Sequence, residues 1–89
     1  MITTSRYSSD KTRRLARMMA KESDDGYVAR GKKTIDSLAE AARRKGDTWI
    51  LIVEEHGGEA AVIARIDIDE MGKWAWAGEA PLKGKGEKA

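Results

Sequence analysis

The apolar run from Trp49 to Val53 constrains the fold of this chain more than any other stretch. Its letters are WILIV, and it lies between turn signals with no charged side chain inside it. A short continuous apolar run of this kind is typical of a central β-strand that is buried on both faces. The sequence therefore predicts a sheet in which this strand occupies a central position.

A hairpin is predicted directly after the central strand. The segment EEHGGE, residues 54–59, has two adjacent glycines at its tip, and glycines accept the positive φ angles of a tight turn. In Ala61–Ile68, apolar and polar side chains alternate, which indicates a return strand with one buried and one wetter face. A further strand is expected at 73–77, after a turn.

Two helices are predicted before the central strand. The first begins at the serine pair Ser8–Ser9, which offers an N-cap, and extends to about Glu22. Thr34 is a good N-cap for a second helix at about 35–45. Gly46 stands where a left-handed residue commonly ends a helix.

With short strands at 1–4 and 27–29, the predicted order is β-α-β-α-β-β, with room for one more strand. Strand–helix–strand steps favour parallel pairing and the hairpin adds antiparallel pairing, so the sheet is predicted to be mixed. Two helices of similar length can both pack on one face. The sequence thus predicts an α/β two-layer sandwich at 1–80, followed by a flexible basic tail at 81–89.

The composition limits the classes of protein to consider. A chain of 89 residues allows one small domain, and the absence of cysteine excludes disulfides and thiolate metal sites. No apolar run approaches the ~20 residues that a membrane span needs. We therefore expect a cytoplasmic protein that does not associate with membranes and has no metal or cofactor.

The charge is distributed unevenly along the chain. Residues 1–45 carry 12 basic and 6 acidic side chains, whereas residues 46–89 carry 5 and 9. Such segregation can create a positive field on one part of the surface, for which nucleic acid is the obvious partner. The alternative is that the uneven charge only solubilises the protein.

The sequence contains no visible catalytic set. His56 is the only histidine and lies in the glycine-rich turn. Glu54 and Glu55 are adjacent, so on a strand they point to opposite faces. Asp67 and Asp69 share a face but have no histidine or cysteine nearby to complete a metal site. An enzyme is therefore not expected.

Basic side chains from two segments predict an anion-binding surface. At 100° per residue, four cations of the first helix fall within one 100° arc, opposite its apolar face. Further cations surround a glycine after the second strand, and Arg6 precedes the helix. The candidate residues are Arg6, Arg13, Arg14, Arg17, Lys21, Arg30, Gly31, Lys32 and Lys33. A solvated helix face beside a polar loop is the alternative interpretation.

Trp74 and Trp76 lie on one face of the last predicted strand. Such a pair commonly covers the edge of a small core, which is the interpretation that we favour. Aromatic side chains also stack on the bases of single-stranded RNA, which is the alternative.

The stretch ITTSRYSSDKTRRLARMMA resembles the opening of Brix-domain proteins, in which a short strand leads into a T-S-R-x-x-S element and a Thr-Arg-rich helix. The resemblance continues through YVARGKKTIDSLAEAARRKGDTWILIVEEHGG, with its aromatic-x-x-Arg-Gly-Lys turn, and through DEMGKWAWAGEAPL, which is similar to the family's Trp-bearing segment. It spans about residues 1–80. The T-S-R and R-G-K elements are specific as a pair, and either alone would be a weak signal.

The resemblance implies a function in ribosome biogenesis. Brix proteins, including archaeal Imp4-like members, bind precursors of ribosomal RNA and ribosomal proteins and are not enzymes. Their domain has two similar halves, each reminiscent of the anticodon-binding domain of class II aminoacyl-tRNA synthetases, and this chain resembles the first half only. The positions that match the motifs are Thr4, Ser5, Arg6, Arg30, Gly31 and Lys32.

The leading hypothesis is a Brix-type half-domain that binds ribosomal RNA or its precursor without catalysis. A second hypothesis is a protein-interaction module that docks a ribosomal protein or a second copy of itself, since a lone half exposes surface. A third is an anticodon-binding-like domain that recognises tRNA.

Overall fold

The structure, a computed structural model, describes residues 1–82 of the chain. Within that range it has one sheet and two α-helices. The elements in chain order are β1 (Ile2–Thr4), α1 (Asp10–Ser23), α2 (Ile35–Arg44), β2 (Trp49–His56), β3 (Glu59–Ile68) and β4 (Trp74–Pro81).

The sheet is mixed, as predicted, and its strands follow the order β1-β2-β3-β4. β1 pairs in parallel with β2, with Ile2 opposite Leu51. The pairs β2–β3 and β3–β4 are antiparallel. The predicted further strand is present as β4, and the WILIV run forms most of β2, which has a neighbour on each side.

Both helices begin at residues whose side chains cap them. The Oγ of Ser9 accepts the backbone N–H of Thr12, and the Oγ1 of Thr34 accepts that of Ser37. Each bond satisfies an N–H group that the first helical turn leaves without an intrahelical partner. The helix starts that the sequence predicts are thereby confirmed.

The predicted turns also occur where left-handed residues are required. Gly46 has φ +87°, and the N–H of Asp47 donates to the carbonyl of Ala42, which ends α2 in a Schellman motif. Gly57 and Gly58, with φ +62° and +82°, form the tip of the β2–β3 hairpin. Two consecutive positive φ angles match the twist of the flanking strands.

Each face of the sheet is covered by one helix, which corrects the expectation that both helices share a face. On one face, Leu38 of α2 packs in a core with Ile50 and Ile52 of β2. On the other face, Ala16 of α1 packs in a second core with Val53. The molecule therefore has three layers instead of two.

The direction of the two crossovers explains this arrangement. The chain leaves β1, passes through α1 and returns parallel to β1 at Tyr27, on the side of β1 away from β2. It then passes through α2 and crosses back to β2. Crossovers between parallel strands are almost always right-handed, so two crossovers in opposite directions place their helices on opposite faces.

The predicted strand at 27–29 is reduced to a single bridge between Tyr27 and Ile2. The carbonyl of Val28, which would continue the parallel ladder, instead accepts a hydrogen bond from the Oγ1 of Thr3 at 2.6 Å. The hydroxyl thus replaces a backbone donor, and the ladder ends after one pair.

The first two residues of the predicted tail, Pro81 and Leu82, are bound to the sheet. β4 extends to Pro81, and the N–H of Leu82 donates to the carbonyl of Ala61 at 2.8 Å. The remainder of that prediction, 83–89, lies outside the described residues. Within 1–82, neither helix has the length and apolar character that crossing a membrane requires.

Candidate nucleic-acid interface

The loop after β1 is fixed by hydroxyl groups. The N–H of Ser5 donates to the carbonyl of Val53 at 3.0 Å, which keeps this loop against the end of β2. The buried Oγ of Ser8 donates to the Oγ1 of Thr4 at 2.8 Å, so the two ends of the T-S-R turn are joined. Between them, Arg6 and Tyr7 are exposed.

A carboxylate from β2 occupies the N-terminus of α1. Oε2 of Glu55 accepts both the N–H and the Oγ of Ser9, each at 2.6 Å. Hydrogen bonds from the side chains of Ser9 and Thr12 and from the Ser9 backbone lower the pKa of Glu55, and partial desolvation opposes them. The positive end of a helix dipole favours this anion. The N-terminus of α1 is therefore already bonded to an anionic group of the protein itself.

Arg30 joins the loop after Tyr27 to the end of β1. The residue is 8% exposed, and its Nη1 donates to the carbonyl of Thr4 at 3.0 Å. Its Nε donates to the carbonyl of Lys33 at 2.8 Å, which closes the loop on itself. Burial lowers the pKa of Arg30 and the nearby Arg6 lowers it further, while Glu54 raises it. The guanidinium thus holds the shape of the site as well as contributing charge.

The two motif elements meet around one cavity. Arg6 donates from Nη2 to the carbonyl of Lys32 at 3.5 Å, which links the T-S-R loop directly to the R-G-K loop. Gly31 has φ +52° and open space around it, so the loop turns there with its backbone accessible. The cavity measures about 410 Å³ and is lined by Thr4, Ser5, Tyr7, Ser8, Arg13, Ala29, Arg30, Gly31 and Lys32.

The cations of α1 are divided between internal contacts and solvent. Arg13 donates to the carbonyl of Ser8 and forms an ion pair with Asp10, and this arrangement places it in the cavity wall. The Cζ of Arg17 lies 5.7 Å from the ring centroid of Tyr27, a distance at which a cation–π attraction acts. Only the N-terminal part of the predicted arc therefore reaches the cavity.

The other predicted site residues lie around this centre. Arg14 and Lys21 are exposed on α1, and neither forms an ion pair within the described residues. Lys33 is exposed on the R-G-K loop, where its Nζ donates to the carbonyl of Ala29 at 3.2 Å. The structure thus brings six of the predicted residues into one cavity lining, namely Thr4, Ser5, Arg13, Arg30, Gly31 and Lys32.

Sequence reasoning missed three residues of this region. The sequence marks Ser8 only as a possible helix cap, and it gives no signal for Tyr7. Glu55 was treated only as one of two adjacent acids, although it binds Ser9 across 46 positions of sequence. The β-bulge between Glu54 and Glu55 that accompanies this contact has no signature in the local sequence.

The tryptophans of β4 lie at the other edge of the sheet from the cavity. Trp74 is half-buried, packs against the α2 core and donates from Nε1 to Oδ1 of Asp36 at 2.6 Å. The rings of Trp74 and Trp76 meet edge to face, with centroids 5.8 Å apart, and Trp76 is 54% exposed. Trp74 is therefore a core-covering residue, as favoured from the sequence.

No group within residues 1–82 has the composition of a metal site, since three or more His, Cys, Asp or Glu side chains never cluster there. His56 is exposed at the end of β2, beside the hairpin tip.

Two solved structures resemble this one. The archaeal Imp4-like protein Mil matches with a TM-score of 0.68 and 29% identity, over 74% of this chain and 42% of its own. A probable ribosomal biogenesis protein from Aeropyrum pernix K1 matches with a TM-score of 0.76 and 22% identity, over 93% of this chain and 47% of its own. The chain thus spans less than half the length of either protein. No protein-family model and no curated protein matches the sequence.

The resemblance to Imp4-like proteins that the T-S-R and R-G-K elements predicted is confirmed by the match to Mil. Both matches also confirm the α/β fold with a mixed sheet.

Proposed function

We propose that this chain binds ribosomal RNA or its precursor in the cytoplasm, as a non-catalytic factor in ribosome assembly. The observation that carries the proposal is the cavity between the loops that follow β1 and Tyr27, where the T-S-R and R-G-K elements meet. The likeness to an Imp4-like protein and to a probable ribosomal biogenesis protein supports the choice of RNA.

Phosphate groups are the part of RNA that this surface suits best. Exposed Arg6 and Lys32 belong to the two linked loops, and Arg13 lies in the cavity wall. An arginine offers a planar fork of donors that pairs two phosphate oxygens, whereas lysine provides a compact charge. Arg14 and Lys21 extend the positive surface along α1. Such contacts supply affinity and position the RNA, and they carry no sequence information themselves.

The carboxylate of Glu55 decides where on this surface a phosphate can bind. Helix N-termini are common phosphate sites, but here the N–H and Oγ of Ser9 already bind Glu55. The proposed phosphate sites are therefore the side chains of the two loops and of the exposed face of α1, not the backbone N–H end of that helix.

The proposal is tested by titrating the protein with a ribosomal RNA fragment at several salt concentrations. Five phosphate contacts on single-stranded RNA predict a log–log slope of about −3.5, because each contact releases condensed counterions. A flat salt response, or no binding at low salt, would contradict the proposal.

A matched pair of charge deletions locates the surface. Lys32→Gln removes a cation from the cavity lining, and Lys73→Gln removes one from the turn before β4, at the other edge of the sheet. We expect the first to weaken binding and flatten the slope by about 0.7, and the second to change neither. If tRNA displaces the ribosomal fragment at equal concentration, the anticodon-binding-like alternative replaces the ribosomal target.

A second candidate function is pairing with another copy of this chain through β4. This strand is the outer edge of the sheet, and Glu79 is its only charged residue. An exposed edge strand with a single charged residue is a template for pairing, and an antiparallel match of β4 with itself would give a two-fold dimer. In analytical ultracentrifugation we expect a dimer that Ala77→Lys dissociates; a monomeric wild-type protein at high micromolar concentration would exclude it.

A further inference from the structure

Tyr7 combines a strained backbone with an unburied aromatic ring. Its φ is +59°, in the left-handed region, and the residue is 83% exposed. Asp24 is the other non-glycine residue with positive φ among residues 1–82, and it ends α1 as a left-handed C-cap. Aspartate tolerates that conformation because of its short polar side chain, whereas a bulky tyrosine does not. Tyr7 is thus an outlier that local sequence preference does not account for.

The neighbours of Tyr7 hold it in this conformation. On one side, Thr4 accepts a hydrogen bond from the Oγ of Ser8, which is buried. On the other side, Ser9 caps α1 and is bonded twice to Glu55. The turn between these fixed points displays the ring to solvent. Strain that is over-determined by its surroundings and gains no burial is characteristic of functional positions.

Tyr7 belongs to the wall of the basic cavity. It lines this space together with Arg13, Arg30 and Lys32, so a residue with a largely exposed aromatic side chain and several cations border the same volume. The volume of about 410 Å³ falls within the roughly 300–1,000 Å³ of ligand-binding pockets. A nucleotide joins a flat base to an anionic phosphate, and this pairing of an aromatic ring with cations matches both parts.

We infer that Tyr7 is a stacking platform for an unpaired base, and that the ligand of this cavity is a nucleotide of single-stranded RNA. The inference rests on the proposed function and specifies its substrate class. In a duplex the bases are stacked on one another and their faces are covered, so only an unpaired base can lie on Tyr7. The cations of the two loops bind the adjacent phosphates.

The test compares two RNAs that have the same number of phosphates, an unstructured single strand and a hairpin duplex, with three variants of Tyr7. Tyr7→Phe keeps the ring, whereas Tyr7→Gly and Tyr7→Asn remove it and suit the left-handed backbone better than tyrosine does. A binding loss in the last two therefore does not arise from unfolding, which a thermal melt of each variant checks.

We expect Tyr7→Phe to bind the single strand as wild type does. Tyr7→Gly and Tyr7→Asn should lose about 5- to 150-fold in affinity for the single strand, the effect of removing one stacking platform. Their affinity for the duplex and their salt slope should be unchanged, because no phosphate contact is removed. An abasic site scanned through the single strand should abolish the difference between Tyr7→Gly and wild type at one position.

The remaining outcomes show whether the inference alone or the proposed function as well is overturned. If the wild-type protein binds neither RNA, both fall. If it binds RNA and Tyr7→Gly binds the single strand equally well, the stacking role is overturned and the proposed function stands. If Tyr7→Gly and Tyr7→Asn lower the affinity for the single strand and for the duplex by the same factor, Tyr7 acts only through the shape of the loop. The inference is then again overturned.

Discussion

The two edges of the sheet differ in how their edge strands are covered. At the β1 edge, the last paired residues Thr3 and Thr4 are fully buried, and their hydroxyls bond to neighbouring loops. At the β4 edge, nearly every residue from Trp74 to Pro81 is exposed and the strand has a partner on one side only. One edge is closed by polar side chains, and the other is left open.

This difference indicates which edge can hold a defined site. Loops at the β1 edge are tied by side chain–backbone bonds that span 26 residues of sequence, such as that from Arg30 to Thr4. A group fixed by such bonds keeps its position when a ligand arrives, so little ordering is needed on binding. At the β4 edge, Trp74 is bonded to another side chain, that of exposed Asp36, and the edge offers backbone and ring surface instead.

The most damaging change to the β1 edge should be Arg30→Ala. It removes two charge-assisted hydrogen bonds and leaves the buried carbonyl of Thr4 without this donor. We therefore expect the free energy of unfolding, measured by urea denaturation, to fall by about 3 kcal/mol. Arg30→Lys should not rescue it, because an ammonium lacks the planar fork. Exposed Lys33→Ala is the control and should stay within about 0.5 kcal/mol. Equal losses of stability in Arg30→Ala and Lys33→Ala would show that the hydrogen bonds of Arg30 do not stabilise the β1 edge.

A smaller and pH-dependent effect is expected for Glu55→Gln. Hydrogen bonds from Ser9 and Thr12 hold the pKa of Glu55 below its ordinary value in the folded protein. A lowered folded pKa stabilises the protein above the unfolded pKa of about 4.3, and this stability is lost as the pH falls through the folded pKa. The melting temperature of the variant should therefore lie below that of wild type at pH 7 and converge with it in acid.

A double-mutant cycle assigns that effect to the right contact. In a Ser9→Ala background, the change in melting temperature that Glu55→Gln causes at pH 7 should shrink, because the Oγ donor is absent. A difference between wild type and Glu55→Gln that persists unchanged at pH 3 would show that the charge of this carboxylate is not responsible.

The smallest effect concerns the β4 edge. Trp74→Phe keeps a ring against the α2 core but removes the donor to Asp36, which should cost about 1 kcal/mol. Trp76→Phe is the matched control and should stay within about 0.5 kcal/mol, since its ring is largely exposed. If Trp76→Phe costs as much, the two tryptophans form one structural unit through their edge-to-face contact.

The elements with local signals were predictable from the sequence. Ser9 and Thr34 cap helices through bonds to residues only three positions away, and the Gly57–Gly58 turn needs nothing beyond its own backbone. The WILIV run correctly indicated burial on both faces of β2. The prediction that both helices lie on one face was wrong. After β1 the chain moves to Tyr27 on one side of that strand and then crosses back to β2 on the other side, which places the helices on opposite faces.

The candidate site was predictable only in part. The cations and the two motif elements could be identified, since charge and spacing are written in the sequence. The backbone of Tyr7 and the contact between Glu55 and Ser9 could not, because a φ angle is imposed by the surroundings and a bond over 46 positions depends on the finished fold.

The position of β1 between Tyr27 and β2 has a consequence for how the molecule assembles. The meander β2–β3–β4 is contiguous in sequence at 49–81, so its pairings close short loops and can form early. β1 has three residues, and its register with β2 joins Ile2 to Leu51. During synthesis on a ribosome, β1 cannot pair with β2 until β2 has emerged. In pulsed hydrogen exchange we expect the amides of 2–4 to gain protection last, as the closing step of folding; earlier protection there than in 49–81 would reverse the order.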